Sequence, residues 1–396
     1  MTRSRLLPGT PTRAALAALA VLTPAALVAC GSEADPGNAP ADATRTGGTA
    51  PASPDAEPQR ADVATGLDTP WGLVATPDDR VLVGSRDTGT IRVLDPATGE
   101  VSEPLTTVGV RAEGESGLLG LALTPDGGTL LAYLTTAEDG RVVAMSYDDS
   151  GDLPVLGDPE PVVTGIPGGA TYHQGGGMVV GPDDLLYVST GDNGVPENAQ
   201  DLDSLSGKIL RYTLDGQPAP DNPFGTAVYS YGHRNVEGLT FDDAGRLWAS
   251  EFGSSRWDEL NLITAGSNYG WPEVEGTGGT DDGYVDPLAV WRTADASPAG
   301  LAWWDGSLWM ASLKGETLWE IPLPDLADAA ADGSEPATDP ADEEVGDPVG
   351  WFGYDLGRLR SALADPTGDG LLVTTSNTDG RGSERDGDDR VLRVTR

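Results

Sequence analysis

Two histidines, two lysines and one cysteine are all that this 396-residue chain offers of the side chains most used for proton transfer, anion capture and thiol chemistry. His173 lies in residues 171–192, TYHQGGGMVVGPDDLLYVSTGD, ahead of a glycine triplet, a strand and an acidic turn at Asp192. A neutral imidazole can accept a proton near pH 7. A lone histidine is more often structural, so its chemistry must be read from its company. Polar residues that no strand requires gather in a few other stretches. Residues 113–120 hold Glu115, and residues 229–238 hold His233, Arg234 and Asn235. Residues 251–261 hold Gly253, Ser254, Asp258 and Glu259, with Tyr269 soon after, and the cations Lys314, Arg358 and Arg360 come later. Lys208, inside the strand-like run GKILR, reads as structural, and His233 as a structural or supporting residue rather than a second base.

A formal charge of −39 makes each of these cations conspicuous and argues against nucleic acid or an anionic membrane surface as a partner. A single cysteine excludes a disulfide within the chain and a haem attached through C-x-x-C-H. With only two histidines beside it, a zinc site is disfavoured.

The elements that must position these residues recur. Six copies of a turn–strand–turn–strand unit begin at Thr76, Thr124, Gly181, Phe241, Trp304 and Asp365. Their partner strands fall at residues 91–94, 142–147, 209–212, 259–263, 318–321 and 391–394. Asp-Gly and Asp-Asp turns between short apolar runs are hairpin signals, and no stretch sustains a helical period. Copies roughly fifty to sixty residues apart suit four-stranded blades. The expected fold is all-β, a six-bladed β-propeller over residues 61–396, with the strand near residues 62–67 closing the ring against the last blade. A pair of β-sandwiches is the alternative. An acidic insert at residues 326–347 reads as a solvated loop.

The N-terminal 29 residues carry Arg3, Arg5 and Arg13 and then an apolar run too short for a comfortable membrane span, the layout of a secretory signal. The run ends LVACGS, which resembles the lipobox of bacterial lipoproteins, with Cys30 as the lipidated first residue of the mature chain. Residues 30–60, rich in Pro, Ala and Gly, read as a disordered tether. The expected location is the outer face of the cytoplasmic membrane, held there by the lipid alone.

The ordered set HQGGG, GPD, LYVSTGD, GKILR, YGHRN, DELN and NYGWP resembles the glucose/sorbosone dehydrogenase family from about Leu67 to the C-terminus. Its members are soluble, pyrroloquinoline quinone (PQQ)-dependent aldose sugar dehydrogenases on a six-bladed propeller. The resemblance implies that His173 is the general base, Asp192 the carboxylate that orients it, and Arg234 the cation beside the quinone oxygens. It further implies that Glu115 and Asn235 lie near the cofactor and that Lys314, Arg358 and Arg360 meet its carboxylates. One Ca²⁺ is expected on the backbone carbonyls of Gly253 and Ser254, and a second, structural one around Asp258, Glu259 and Tyr269. The implied substrate is an aldose oxidised at C1 to the lactone, with electrons leaving to an external acceptor. Three departures stand out: Phe252 and Ser254 where the family has E-H-G-P, HRNVEG for H-R-N-P-Q-G, and Ser361 where an aspartate is common. The loop change frees the backbone and is expected to lower calcium affinity. Two other readings remain open: a propeller without cofactor that binds carbohydrate or protein, and a calcium-dependent lactonase. The second needs a metal-bound carboxylate cluster and has no use for the cations.

Overall fold

The computed structural model describes residues 57–169, 171–324, 338–368 and 370–396. The expected signal peptide, Cys30 and nearly all of the expected tether therefore lie outside the described residues, as does much of the acidic insert. Among the described residues no helix is long and apolar enough to cross a membrane.

The strands form six antiparallel sheets arranged as a closed ring. The recurring units seen in the sequence are the second and third strands of the blades. Second strands such as Val81–Ser85, Leu247–Glu251 and Ser307–Ser312 are buried at every position. Each blade is covered by a neighbour on both faces, so these strands read as continuous apolar runs rather than alternating ones. The core is accordingly a set of clusters between blades. One packs Leu82 and Ile91 of the first blade against Leu118, Leu130 and Met145 of the second. Another packs Trp309 and Leu318 of the fifth against Leu359, Leu371 and Val373 of the sixth.

The innermost strands line the channel and carry a repeated glycine. A Cβ at Gly72 would stand 2.4 Å from the Leu119 carbonyl oxygen, and one at Gly120 or Gly238 would meet Gly176 or Ala299 in the same way. Only glycine allows neighbouring blades so close. In the sixth blade Ser361 takes this position, and its hydroxyl donates to the Trp71 carbonyl, stitching the last blade to the first. The ring is also closed at its rim. Strand Gln59–Ala64 pairs antiparallel with Val391–Thr395, beginning two residues before the expected start of the propeller.

The insert is a correction. Residues 338–347 are not all solvated, because Glu343 is buried with Oε2 2.6 Å from Arg246 Nη1. Arg246 is itself buried against Asp242 on the fourth blade, and a buried guanidinium draws a second carboxylate out of an acidic loop.

In an antiparallel meander, the loops joining second to third strands open at the same end as the connections between blades. Asp192, the residues 252–256 and Lys314 belong to the first kind, while Glu115, His173, Arg234, Asn235 and Arg358 belong to the second. All of them reach one mouth of the channel.

Candidate active site

His173 has a left-handed backbone (φ 58°) imposed by a tight crossing. A Cβ at Gly191 would stand 2.1 Å from the His173 carbonyl oxygen, so the His173 loop lies directly on the loop of Asp192. The ring places Nδ1 2.7 Å from Asp192 Oδ1, and Glu115 Oε2 accepts the His173 backbone N–H at 2.6 Å. Its Nε2 has no partner among the described residues and its side chain stays 15% exposed, which leaves that nitrogen open to a ligand. The fully buried Asp192 also accepts the Gly194 N–H at 2.8 Å and the Trp271 indole N–H at 2.9 Å. Burial pushes its pKa up, but hydrogen bonds from His173, Gly194 and Trp271 prevail and hold the carboxyl below its ordinary range.

Arg234 approaches the same point. Asp192 N–H donates to the Arg234 carbonyl at 2.8 Å, and the guanidinium lies 5.6 Å over the Trp271 ring. Its Nη1 donates to the Phe252 carbonyl at 3.2 Å, while Nε is buried without an acceptor among the described residues. His233 is buried as a supporting residue: Nε2 meets Ser230 Oγ and Nδ1 meets Glu251 Oε2, each at 2.9 Å. Glu251 then receives the Arg234 backbone N–H, so this buried relay fixes the arginine's backbone. Lys208 is likewise structural. Its ammonium donates to the carbonyls of Asn198, Ala199 and Ser206, and burial lowers its pKa to about 8.

The expected anion-binding cations divide. Arg360 is buried, with Nη1 donating to Glu237, its plane over Trp71, and Nε without an acceptor among the described residues. Arg358 donates Nε and Nη2 to Asp379 at 3.1 and 3.0 Å. Lys314 is exposed and makes no side-chain hydrogen bond or ion pair among the described residues. Asn235 holds the His173 loop through Gly175 N–H to its Oδ1 at 2.9 Å, and donates Nδ2 to Glu237 at 3.2 Å.

Sequence reasoning missed Asp379 and Arg381, and met Glu237 only as the glutamate of the departing HRNVEG stretch. Arg381 Nη1 donates to Glu115 Oε1 at 3.0 Å, adding a fourth arginine to the cluster. The signal available was the spacing of Asp379 and Arg381 directly after the last blade's second strand, the loop position that Asp192 occupies in its own blade.

Of the residues expected around the second calcium, Glu259 and Tyr269 line one small cavity with Glu251 and Gly253, whereas Asp258 does not join them. Asp258 and Glu259 are consecutive in strand Trp257–Ile263 and point to opposite faces of the sheet. Asp258 accepts Gly253 N–H at 2.9 Å and Ser297 N–H at 2.7 Å, whereas Glu259 accepts Gly276 N–H at 2.7 Å. The Tyr269 hydroxyl donates to the Leu262 carbonyl at 2.7 Å. Among the described residues no three His, Cys, Asp or Glu side chains are grouped to hold a metal. The Gly253–Ser254 loop is different. Glu275 Oε1 collects the N–H groups of Ser254, Ser255, Arg256 and Trp257, at 2.7 to 3.2 Å. This nest freezes the loop, and the Gly253 and Ser254 carbonyls accept no hydrogen bond among the described residues. Two fixed, unbonded carbonyl oxygens at the mouth fit a hard cation.

The assembled site is thus an oriented imidazole with a free nitrogen, beside four arginines, two of which keep a buried N–H unused. It can take a proton from a bound hydroxyl and hold a compact polyanion.

Comparison with known proteins bears on this geometry. The glucose/sorbosone dehydrogenase family profile matches residues 67–381. Quinoprotein glucose dehydrogenase B of Acinetobacter calcoaceticus is 32% identical over 259 residues, 56% of this chain and 54% of that protein. The chain thus spans about half the length of this relative. Aldose sugar dehydrogenase YliI of Escherichia coli K12 is 31% identical over 283 residues, 63% of this chain and 76% of that one. Among solved structures, the PQQ-bound aldose sugar dehydrogenase of Streptomyces coelicolor is 48% identical, with a TM-score of 0.77 over 87% of this chain and 99% of its own.

Proposed function

The chain belongs to the glucose/sorbosone dehydrogenase family, and on that premise we propose that it is a PQQ- and calcium-dependent dehydrogenase that oxidises an aldose at C1 to the lactone. The observation that carries this reading is the free Nε2 of His173, held by Asp192 beside the unused N–H groups of Arg234 and Arg360. The buried donors fit a small molecule with several carboxylates, as PQQ has, because an unpaired buried N–H is costly until an acceptor reaches it. Arg234, Arg358, Arg360 and Lys314 would hold the cofactor, and the Gly253 and Ser254 carbonyls would hold the calcium ion. When bound, the quinone supplies an acceptor for the hydride of C1, and the metal polarises it.

The protein's own part is proton transfer and positioning. His173 Nε2 accepts the C1 hydroxyl proton of the sugar while Asp192 keeps the other ring nitrogen protonated and stabilises the imidazolium. Glu115 and Asn235 hold the His173 loop from either side, which keeps the base at a fixed depth. Arg234 sets a fixed positive charge where negative charge develops, and Trp271 braces both Arg234 and Asp192. Electrons then pass to an external acceptor. We place the protein on the outer face of the cytoplasmic membrane through a lipid on Cys30. A Cys30→Ala form that still labels with radioactive palmitate and stays with the membrane fraction would sink that placement.

The activity is tested with purified protein, PQQ and calcium, by following an artificial dye as aldoses are added. Dye reduction dependent on all three, lost in His173→Ala, is the expected result. No response across a sugar panel, with no heat of PQQ binding, overturns the proposal and favours a propeller that only binds ligands.

A further inference from the structure

Glu237 stands on the innermost strand of the fourth blade, two residues after Asn235, and lines the narrow channel beneath the site with Trp71, Gly177 and Ser361. Its two oxygens already hold two groups assigned above to the cofactor. Arg360 donates from Nη1 to Oε2, and Asn235 donates from Nδ2 to Oε1 at 3.2 Å. A carboxylate of the chain thus occupies part of the place where a ligand carboxylate is expected.

The charges that face Glu237 come from three elements. Arg360 of the sixth blade touches it, Arg381 from a loop of the same blade attracts it, and Glu115 from the second blade's entry repels it. Burial is the largest influence and raises its pKa, Glu115 adds to the rise, and Arg360 and Arg381 oppose it, leaving the net direction upward. Two other carboxylates near the mouth are better satisfied. Asp379 accepts from Arg358, Ser376 Oγ and two backbone N–H groups, and Asp192 has its three donors. Glu237, whose carboxyl its surroundings already push upward, is less able than these two to stay ionised when further negative charge arrives.

We propose that Glu237 is a built-in competitor for Arg360, which a carboxylate-bearing ligand displaces from the guanidinium while Glu237 takes up one proton from solvent. The proposal rests on the PQQ reading and adds to it a proton linkage and a residue that sets cofactor affinity. The balance is simple: the Glu237–Arg360 ion pair breaks, a ligand–Arg360 ion pair forms, and a proton adds to Glu237. The neutral acid keeps the Asn235 bond through its carbonyl oxygen. The sign follows from linkage. Glu237 has a higher pKa in the loaded protein than in the free one, so affinity is full below the free-protein pKa. Above it, affinity falls by up to about tenfold per pH unit until the loaded-protein pKa is passed.

The test is calorimetric titration of the full chain with PQQ at fixed calcium, in HEPES and in Tris at the same pH, which counts protons from the difference in heats. The wild-type protein is expected to take up protons on binding. Glu237→Gln, a neutral side chain of the same shape, is expected to take up markedly fewer and to bind more tightly, by about tenfold or more at the alkaline end. Equal uptake by the two proteins overturns the proposal and leaves the PQQ reading standing, while absence of PQQ binding removes both. Should Glu237→Gln fail to fold by thermal melt, the wild-type measurement decides alone, with zero uptake overturning the idea.

Discussion

His173 and His233 each set Nδ1 against a buried carboxylate, Asp192 at 2.7 Å and Glu251 at 2.9 Å, and each lies beside a site loop. Their second nitrogens separate them. His233 is fully buried, its Nε2 meets Ser230, and its ring stacks on Tyr269 with centroids 4.7 Å apart. His173 is edge-on to the exposed Tyr172, and its Nε2 faces the mouth. The same His–carboxylate pair is a strut when both ends are satisfied, and with one end left open it is free to meet a ligand, as proposed for His173. Sequence context does not reveal which, because that depends on whether a strand hydroxyl comes within reach.

The sharpest way to break this comparison is to truncate each ring. His173→Ala should lower kcat/KM by about 10³-fold or more with an unchanged melting curve, measured by dye reduction and circular dichroism. Asp192→Asn should follow at about 10²-fold or more, because an amide can no longer impose the tautomer, with PQQ binding retained in calorimetry. His233→Ala should act instead on stability, by about 2–3 kcal/mol in chemical denaturation, since it strands Glu251 and Ser230. Activity retained by His173→Ala and lost by a well-folded His233→Ala would reverse the assignment. Glu275→Gln should raise the calcium concentration for half-maximal activity severalfold, because a neutral amide grips the nest of N–H groups less firmly. Smallest is Trp271→Phe, which keeps a ring beneath Arg234 and removes one donor to Asp192. It should cost about 1 kcal/mol in the activation barrier, seen as a roughly fivefold drop in kcat/KM.

The blades were legible because second and third strands pair an acidic turn with an unbroken apolar run, as at Thr76–Ser85. The innermost strands were not, since they carry a glycine in place of a β-former, as in Trp71-Gly72-Leu73 and Ala299-Gly300-Leu301. Their glycine is itself a repeat, recognisable once the close approach of blades explains it. In the site, His173 stood out by its rarity and Arg234 by its place in YGHRN. Asp379 did not, because in a chain with 63 acidic residues one more carboxylate looks like solvated surface, and Glu237 showed only as a departure within HRNVEG. That Asp258 falls away from Glu259 and Tyr269 has a plainer cause. Adjacent residues in a strand face apart, and the two-residue period of Trp257–Ile263 already separates the carboxylates.

The sixth blade is built from both ends of the propeller, strand Gln59–Ala64 lying beside Val391–Thr395. A chain that emerges from its N-terminus must therefore keep its first strand unpaired until the last one has been made. Five blades can assemble during synthesis while the ring remains a horseshoe, and the mouth that gathers Glu115, His173, Arg234 and Arg360 acquires its shape only at closure. Contacts so distant in sequence form slowly, so competence for cofactor should be the final event of folding, arriving with the whole ring rather than blade by blade.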